Sequence, residues 1–141
     1  MSKSRPVDLK VKPSKAQVVE VRDTARQLLA DLPADVAQEV LLALDEAVAN
    51  AVRYGSTGGQ PIDVSIVVGQ DWVELSVADR GPTAHLPALP HEPPPLLATG
   101  GRGLWLILQL ADEVRVERFG AGTRLALRRR VRVPALAGQR G

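Results

Sequence analysis

Glu46 and Asn50 stand four residues apart in the run Leu44-Asp-Glu-Ala-Val-Ala-Asn50. On a helix, that spacing projects a carboxylate and an amide from one side. An amide oxygen is a hard ligand suited to Mg²⁺, which takes few protein oxygens and completes its shell with water and phosphate. A nearby glutamate can orient or deprotonate an attacking hydroxyl. At about 100° per residue, the pair falls roughly opposite Leu44 and Val48. Its flanking residues, Ala43 and Ala47, are small enough to leave room for a ligand. Taken alone, the same pair also describes an ordinary solvated helix face.

Two further stretches carry chemistry. Asp79 closes the apolar run Val73–Ala78, and Gly81 follows two residues later. An acid at a strand's end can accept from an exocyclic amine such as adenine's, and a glycine lets the backbone approach a ring. Turn formation alone selects the same residue types. Gly100, Gly101 and Gly103 then precede a third apolar-periodic stretch. Backbone N–H groups there can converge on an anion at the positive end of a helix, with Arg102 adding charge. The plain alternative is a hinge before a helix. A Rossmann fingerprint fails, because Leu106 stands where its third glycine belongs and a proline-rich segment replaces the preceding strand. A Walker A loop fails as well, since no lysine occurs after Lys15. Together the three stretches describe a pocket for a nucleotide held through magnesium, without a phosphate-binding lysine.

Other chemistries lack a frame. His85 and His91 both fall in the proline-rich segment, so neither a zinc cluster nor a serine triad has rigid support. Cysteine is absent, which excludes disulfides and thiolate metal sites. Trp72 and Trp105 are lone aromatics on elements that need apolar contacts and read as core or interface anchors.

The elements that must position these residues follow from periodicity. Residues 6–11 alternate and predict a short edge strand, exposed in a way that would suit dimerisation. Ser14 can cap a helix, with Gln17 returning the bond; Val18, Val21, Ala25, Leu28 and Leu29 form its inner face, and it ends near Asp31. Pro33 suits the first turn of a second helix over about 33–54, with Leu41, Leu44, Val48 and Ala51 as its inner stripe. Strands over 62–68 and 72–78 are joined by Gly69-Gln-Asp71 as an antiparallel hairpin. Residues 82–95 hold six of the eleven prolines and fit neither helix nor sheet. A third helix begins near Gly103, and a last hairpin pairs 113–118 with 123–131. This order predicts an α+β fold with helices on one face of a mainly antiparallel sheet.

Composition sets the remaining bounds. A chain of 141 residues fits a single domain with a real core, and with 45% apolar but 3% aromatic residues that core is built from Val, Leu, Ile and Ala. No run approaches a membrane span, and no apolar segment follows the basic N-terminus as a signal peptide requires, so the expected location is the cytoplasm. All four lysines lie in the first fifteen residues, and Arg128, Arg129, Arg130 and Arg132 crowd the other end. A basic end can meet nucleic acid or an acidic partner, but too few aromatics exist to stack bases. The plain reading is a solvated sheet edge guarded by charge.

In order and spacing, the three stretches resemble the signature boxes of the Bergerat-fold (GHKL) ATPases, the superfamily of histidine kinases, gyrase-type topoisomerases and Hsp90-type chaperones. Glu46-Ala-Val-Ala-Asn50 resembles the N box, Asp79-Arg-Gly81 the first glycine box, and Gly101-Arg-Gly103-Leu104 the second. Chain length, the run from Leu44 to Tyr54 and the helix opened by Gly100-Gly-Arg-Gly-Leu-Trp-Leu-Ile107 are most similar to the anti-sigma factor serine/threonine kinases. The resemblance covers about residues 14–127.

The resemblance implies a two-layer α/β sandwich that binds ATP and Mg²⁺. It implies that Glu46 is the catalytic acid–base residue and Asn50 the magnesium ligand. Asp79 would meet the adenine amino group, and Gly81 would line the pocket. Gly101, Arg102, Gly103 and Leu104 would lie at the phosphates, and Thr123 would support the adenine-side hydrogen bonds. Residues 82–99 would be a lid and 132–141 a tail. Implied partners are a sigma factor and an anti-anti-sigma protein of STAS type phosphorylated on serine, often with the kinase as a homodimer; nucleic acid and membrane are not among them. One position departs from the family pattern: Thr83 replaces the second glycine of Asp-x-Gly-x-Gly, and a β-branched residue resists positive φ. That departure keeps open a second reading, a regulator-binding module without catalysis. A histidine kinase catalytic domain is a third, lacking a preceding helix that bears a phosphoacceptor histidine.

Overall fold

A computed structural model describes residues 6–55, 59–81, 89–90, 92 and 102–131. The elements are β1 (Val7–Val11), α1 (Lys15–Leu28), α2 (Ala34–Asn50), β2 (Ile62–Val68), β3 (Trp72–Ala78), α3 (Arg102–Leu110), β4 (Glu113–Phe119) and β5 (Gly122–Arg130). The five strands form one antiparallel sheet in the order β1-β2-β3-β5-β4. The α+β architecture read from the sequence is therefore present. The Pro-rich segment 82–99 falls almost wholly outside the described residues, and the tail 132–141 entirely so.

Alternation decides which face of the sheet is covered. Val11, Ile62, Val64, Ile66, Val73, Leu75, Val77, Leu125 and Leu127 are buried, and their sequence neighbours turn to the opposite face. Against them pack Val21, Ala25 and Leu29 around α1, Val36, Val40, Leu41, Leu44 and Val48 of α2, and Ile107 of α3. Short branched side chains fill this space without aromatic rings, as the composition requires. No described helix is long and apolar enough to cross a membrane.

Several local expectations change in detail. Ser14 does cap α1, its hydroxyl accepting from the Gln17 backbone at 3.3 Å, but the Gln17 side chain does not return to residue 14. Its Oε1 accepts from the Lys12 backbone at 2.8 Å, because the Ser14 N–H already turns back to the Lys12 carbonyl. Pro33 is the residue before α2 and not its first turn. The second helix is α only to Asn50; one wider π turn covers Ala51–Gly55. The change begins where the Ala51 N–H is shared between the carbonyls of Ala47 and Val48.

The arginines of the last strand were expected at a sheet edge, and this is corrected. β5 lies between β3 and β4, so Arg128 is flanked across the ladder by Glu74 and Glu113. The Arg128 guanidinium sits 4.0 Å from the Trp72 ring centroid and that of Arg130 4.6 Å. Stacked and paired cations are how an interior strand carries charge on its uncovered face. Trp72 is thus an anchor for arginines on the sheet surface.

Core burial makes a direct prediction. Leu44 is 2% exposed and Val19 57%. In urea denaturation, Leu44→Ala is expected to lower the unfolding free energy by about 2–5 kcal/mol, and Val19→Ala by no more than about 0.5 kcal/mol.

Candidate functional site

The first cluster forms where α3 begins against the end of α2. A Cβ placed on Gly103 would lie 3.0 Å from Glu46 Oε1, 3.3 Å from Asn50 Nδ2 and 3.4 Å from Asn50 Oδ1. The backbone of the first turn of α3 therefore rests close against both polar side chains, and a methyl there would press on their flexible ends. The first-turn N–H groups of a helix have no intrahelical acceptor, so this is also where an anion is best received. The sequence reading placed Ala43 and Ala47 beside an open polar face. Instead both are buried in the core at 1% and 3% exposure, and Glu46 and Asn50 are half-buried against α3. The small residue that makes room is Gly103, from another element.

The second cluster forms at the ends of β3 and β5. Asp79 is 7% exposed, and its Oδ1 accepts from the backbone of Gly81 at 2.9 Å and of Thr123 at 3.2 Å. The Asp79 N–H in turn donates to the Thr123 carbonyl at 2.9 Å. Both side-chain bonds fall on one oxygen; among the described residues none is formed to Oδ2. Gly81 adopts φ +75°, which lets the chain double back beneath the carboxylate. Gly122 was not singled out in the sequence, yet a Cβ there would lie 2.7 Å from the Asp79 carbonyl carbon. A glycine heading a strand just after a turn glycine was the available signal.

Arg80, between Asp79 and Gly81, turns away and holds Asp63 through two hydrogen bonds of 3.1 and 2.9 Å. That partner raises the Arg80 pKa, first by hydrogen bonding and then by charge. The exposed pair tethers the chain leaving β3 to β2. Leu104 is half-buried against the core, its backbone following Gly103 in the first turn of α3. The Arg102 side chain, Gly100, Gly101 and Thr83 lie outside the described residues.

The two clusters ride on packed elements, α2 on β3 and β5, and α3 on α2 and β4. A further clamp sets these helices against the sheet and was not read from the sequence. Arg129 of β5 donates through Nε and Nη2 to Glu39 Oε1 at 3.0 and 2.7 Å. Its Nη1 lies 3.8 Å from Asp112 Oδ2, just beyond α3. Glu39 is seven residues before Glu46 on α2, two turns along the same side. Ninety positions separate Arg129 from Glu39, so no local pattern could reveal the contact.

Among the described residues, no group of three or more Asp, Glu, His or Cys side chains could hold a metal ion. A cation here would depend on one or two protein oxygens plus phosphate. The Asn50 amide against the Gly103 backbone fits that pattern for Mg²⁺.

Residues 11–129 match the family model described as histidine kinase-like ATPase domain, and the chain belongs to that family. Such a domain implies ATP as its nucleotide. Within it, the chain is 33% identical over 89 residues to the serine-protein kinase RsbW of Oceanobacillus iheyensis, covering 56% of each. It is 32% identical over 99 residues to RsbW of Bacillus subtilis, covering 63% of this chain and 62% of that one. The match thus spans less than two thirds of these relatives. Among solved structures, the RsbU and RsbW domains of Rv1364c from Mycobacterium tuberculosis superpose with a TM-score of 0.66 at 23% identity, over 90% of this chain and 32% of that one. A histidine kinase domain from Erythrobacter litoralis EL346 gives 0.52 at 18% identity, over 82% and 60%. These two likenesses establish the fold.

Gly122 and Gly103 should respond differently to an added methyl. Gly122→Ala drives a methyl into backbone and is expected to cost about 1–3 kcal/mol. Gly103→Ala meets only the ends of flexible side chains and should cost less than about 1 kcal/mol. Urea unfolding of both variants measures the difference.

Proposed function

We propose that this chain is an ATP- and Mg²⁺-dependent serine kinase that regulates transcription by partner switching. In this reading it holds a sigma factor and phosphorylates a serine of an anti-anti-sigma protein of STAS type. The observation that carries the proposal is the junction of Glu46 and Asn50 with the backbone of Gly103, supported by likeness to the RsbW serine-protein kinases.

Asp79 binds the adenine amino group through Oδ2, since Oδ1 is already held by Gly81 and Thr123. Gly81 lines the pocket, its missing side chain making room for the Ala121 backbone that packs against it. Thr123, through its backbone, fixes the carboxylate's orientation. Gly101, Arg102, Gly103 and Leu104 present N–H groups and charge to the phosphates at the start of α3. Asn50 offers its amide oxygen to Mg²⁺. When bound, ATP supplies the transferable phosphoryl group. Glu46 accepts the proton of the partner's serine hydroxyl while that oxygen bonds to the γ-phosphorus and the bond to ADP breaks. Thr83, where the family has glycine, favours a second reading in which the chain binds its regulator without transferring phosphate.

Two measurements test the proposal. ATP with Mg²⁺ at 100 times its dissociation constant should stabilise the fold by about 2.7 kcal/mol, seen as a rise of several degrees in Tm. Asp79→Ala should remove that rise, and Gly103→Ala should weaken it. With a STAS-type partner and labelled ATP, Glu46→Ala should keep the thermal shift but lower transfer by about 10²–10⁴-fold. A shift without labelled serine would establish the binding module instead; no shift at all would sink the nucleotide reading.

A further inference from the structure

α2 and α3 lie antiparallel, and the two ends of the pair carry different polar groups. At one end Gly103, in the first turn of α3, meets Glu46 and Asn50. At the other stand Glu39 of α2 and Asp112, two residues beyond α3. Glu39 and Asn50 are eleven residues apart, about 16 Å along the helix axis. The nine residues of α3 span about 13 Å, so the two ends are nearly a full helix length apart.

Arg129 closes the end away from Gly103. It sits on the core side of β5, in line with buried Leu125 and Leu127 and across from Val73. An aliphatic residue would fill that place for packing alone. The guanidinium instead gives Nε and Nη2 to Glu39, and its Nη1 donates to the Arg130 carbonyl at 2.6 Å while lying 3.8 Å from Asp112. Asp112 is itself fixed to β5: its N–H donates to the Arg128 carbonyl at 2.8 Å, and its Oδ2 accepts from the Arg130 backbone at 2.6 Å. The end of α3 and the middle of α2 are therefore referred to one strand, α2 through a planar fork that sets direction as well as distance. Otherwise α3 packs chiefly on α2. A shift between the two helices at the Arg129 end is carried along them to Gly103, and a displacement of about 1 Å can cost about 10²-fold in rate.

We propose that Arg129 is a positioning residue: through Glu39 and Asp112 it sets the spacing of α2 and α3, and so the approach of Gly103 to Glu46 and Asn50. Its effect on phosphoryl transfer rests on the kinase reading above; its effect on the junction does not. The Asp79 cluster lies at the opposite ends of β3 and β5 and is outside the clamp's reach. A pair that merely stabilised the fold would behave differently on removal. Glu39 and Asp112 are 39% and 43% exposed, so both return to water when Arg129 is replaced. An apolar side chain of similar length then leaves no buried charge behind, and such exchanges are often neutral for stability.

Arg129→Met in the full chain tests the inference, and its Tm should stay close to the parent's. Amide hydrogen exchange without nucleotide should quicken at least about threefold in segments 43–50 and 103–110, with segment 73–79 unchanged. With a STAS-type partner and ATP, kcat should fall at least about tenfold while KM for ATP stays within about threefold, because the adenine side is untouched. Glu39→Ala should reproduce both effects, and the double variant should be no worse than either single one, since each breaks the same clamp. Unchanged exchange in the two helical segments would overturn the inference, as would a kcat equal to that of an active parent. Faster exchange over the whole chain with a matching fall in Tm would make Arg129 a stability residue only, and overturn it too. A parent chain that transfers no phosphate would sink the kinase reading, and the exchange pattern alone would then decide the role of Arg129.

Discussion

A carboxylate buried at the end of a strand must find hydrogen bonds, and the satisfaction of Asp79 organises the sheet around it. Two backbone N–H groups converge on its Oδ1, one from Gly81 just ahead and one from Thr123, forty-four residues later. The second bond exists because β5 enters the sheet between β3 and β4 and not beyond them. That entry is possible because Gly122 has no side chain to collide with the Asp79 backbone. Leaving such a group unpaired would cost roughly 1–3 kcal/mol or more, so the strand order and the carboxylate's orientation support each other.

The helical layer faces a similar demand at the α2–α3 junction. Glu46 and Asn50 are partly withdrawn from water without entering the core, and their neighbour is a helix start, rich in unpaired donors. At the other end of α2, Arg129 holds Glu39 and lies near Asp112 beyond α3, so one guanidinium on the central sheet bears on both helices. At 18% exposure, the Arg129 side chain spends its fork on fixed acceptors. The polar clusters thus sit on a frame of branched aliphatic packing whose angles are set by charge. On the outer face of the sheet, Glu117 shows the same economy. Hydrogen bonds from Arg124 and then Arg115 hold its carboxyl below the usual glutamate range.

Much of this was legible in the chain itself. Alternation located the five strands, and 3.6-residue periodicity located the three helices, because burial on one face leaves a regular imprint. Spacing also placed Glu46 with Asn50, since four residues on a helix make neighbours by geometry alone. The same logic misjudged what lay beside them. Ala43 and Ala47 looked like an opening, and only packing showed them turned into the core while Gly103 supplied the close approach. The last-strand arginines looked like an edge because sequence order does not give strand order. The π turn after Asn50 was missed because its residues carry no local mark.

The sequence by itself determined the elements, the apolar layer and the polar residues available for nucleotide chemistry, because each depends on neighbours within one or two turns or a single strand. The tertiary structure alone decided which of these residues meet. Asp79 with Thr123, Gly103 with Glu46, and Arg129 with Glu39 are contacts between remote segments, fixed by strand insertion and helix packing and by no spacing along the chain.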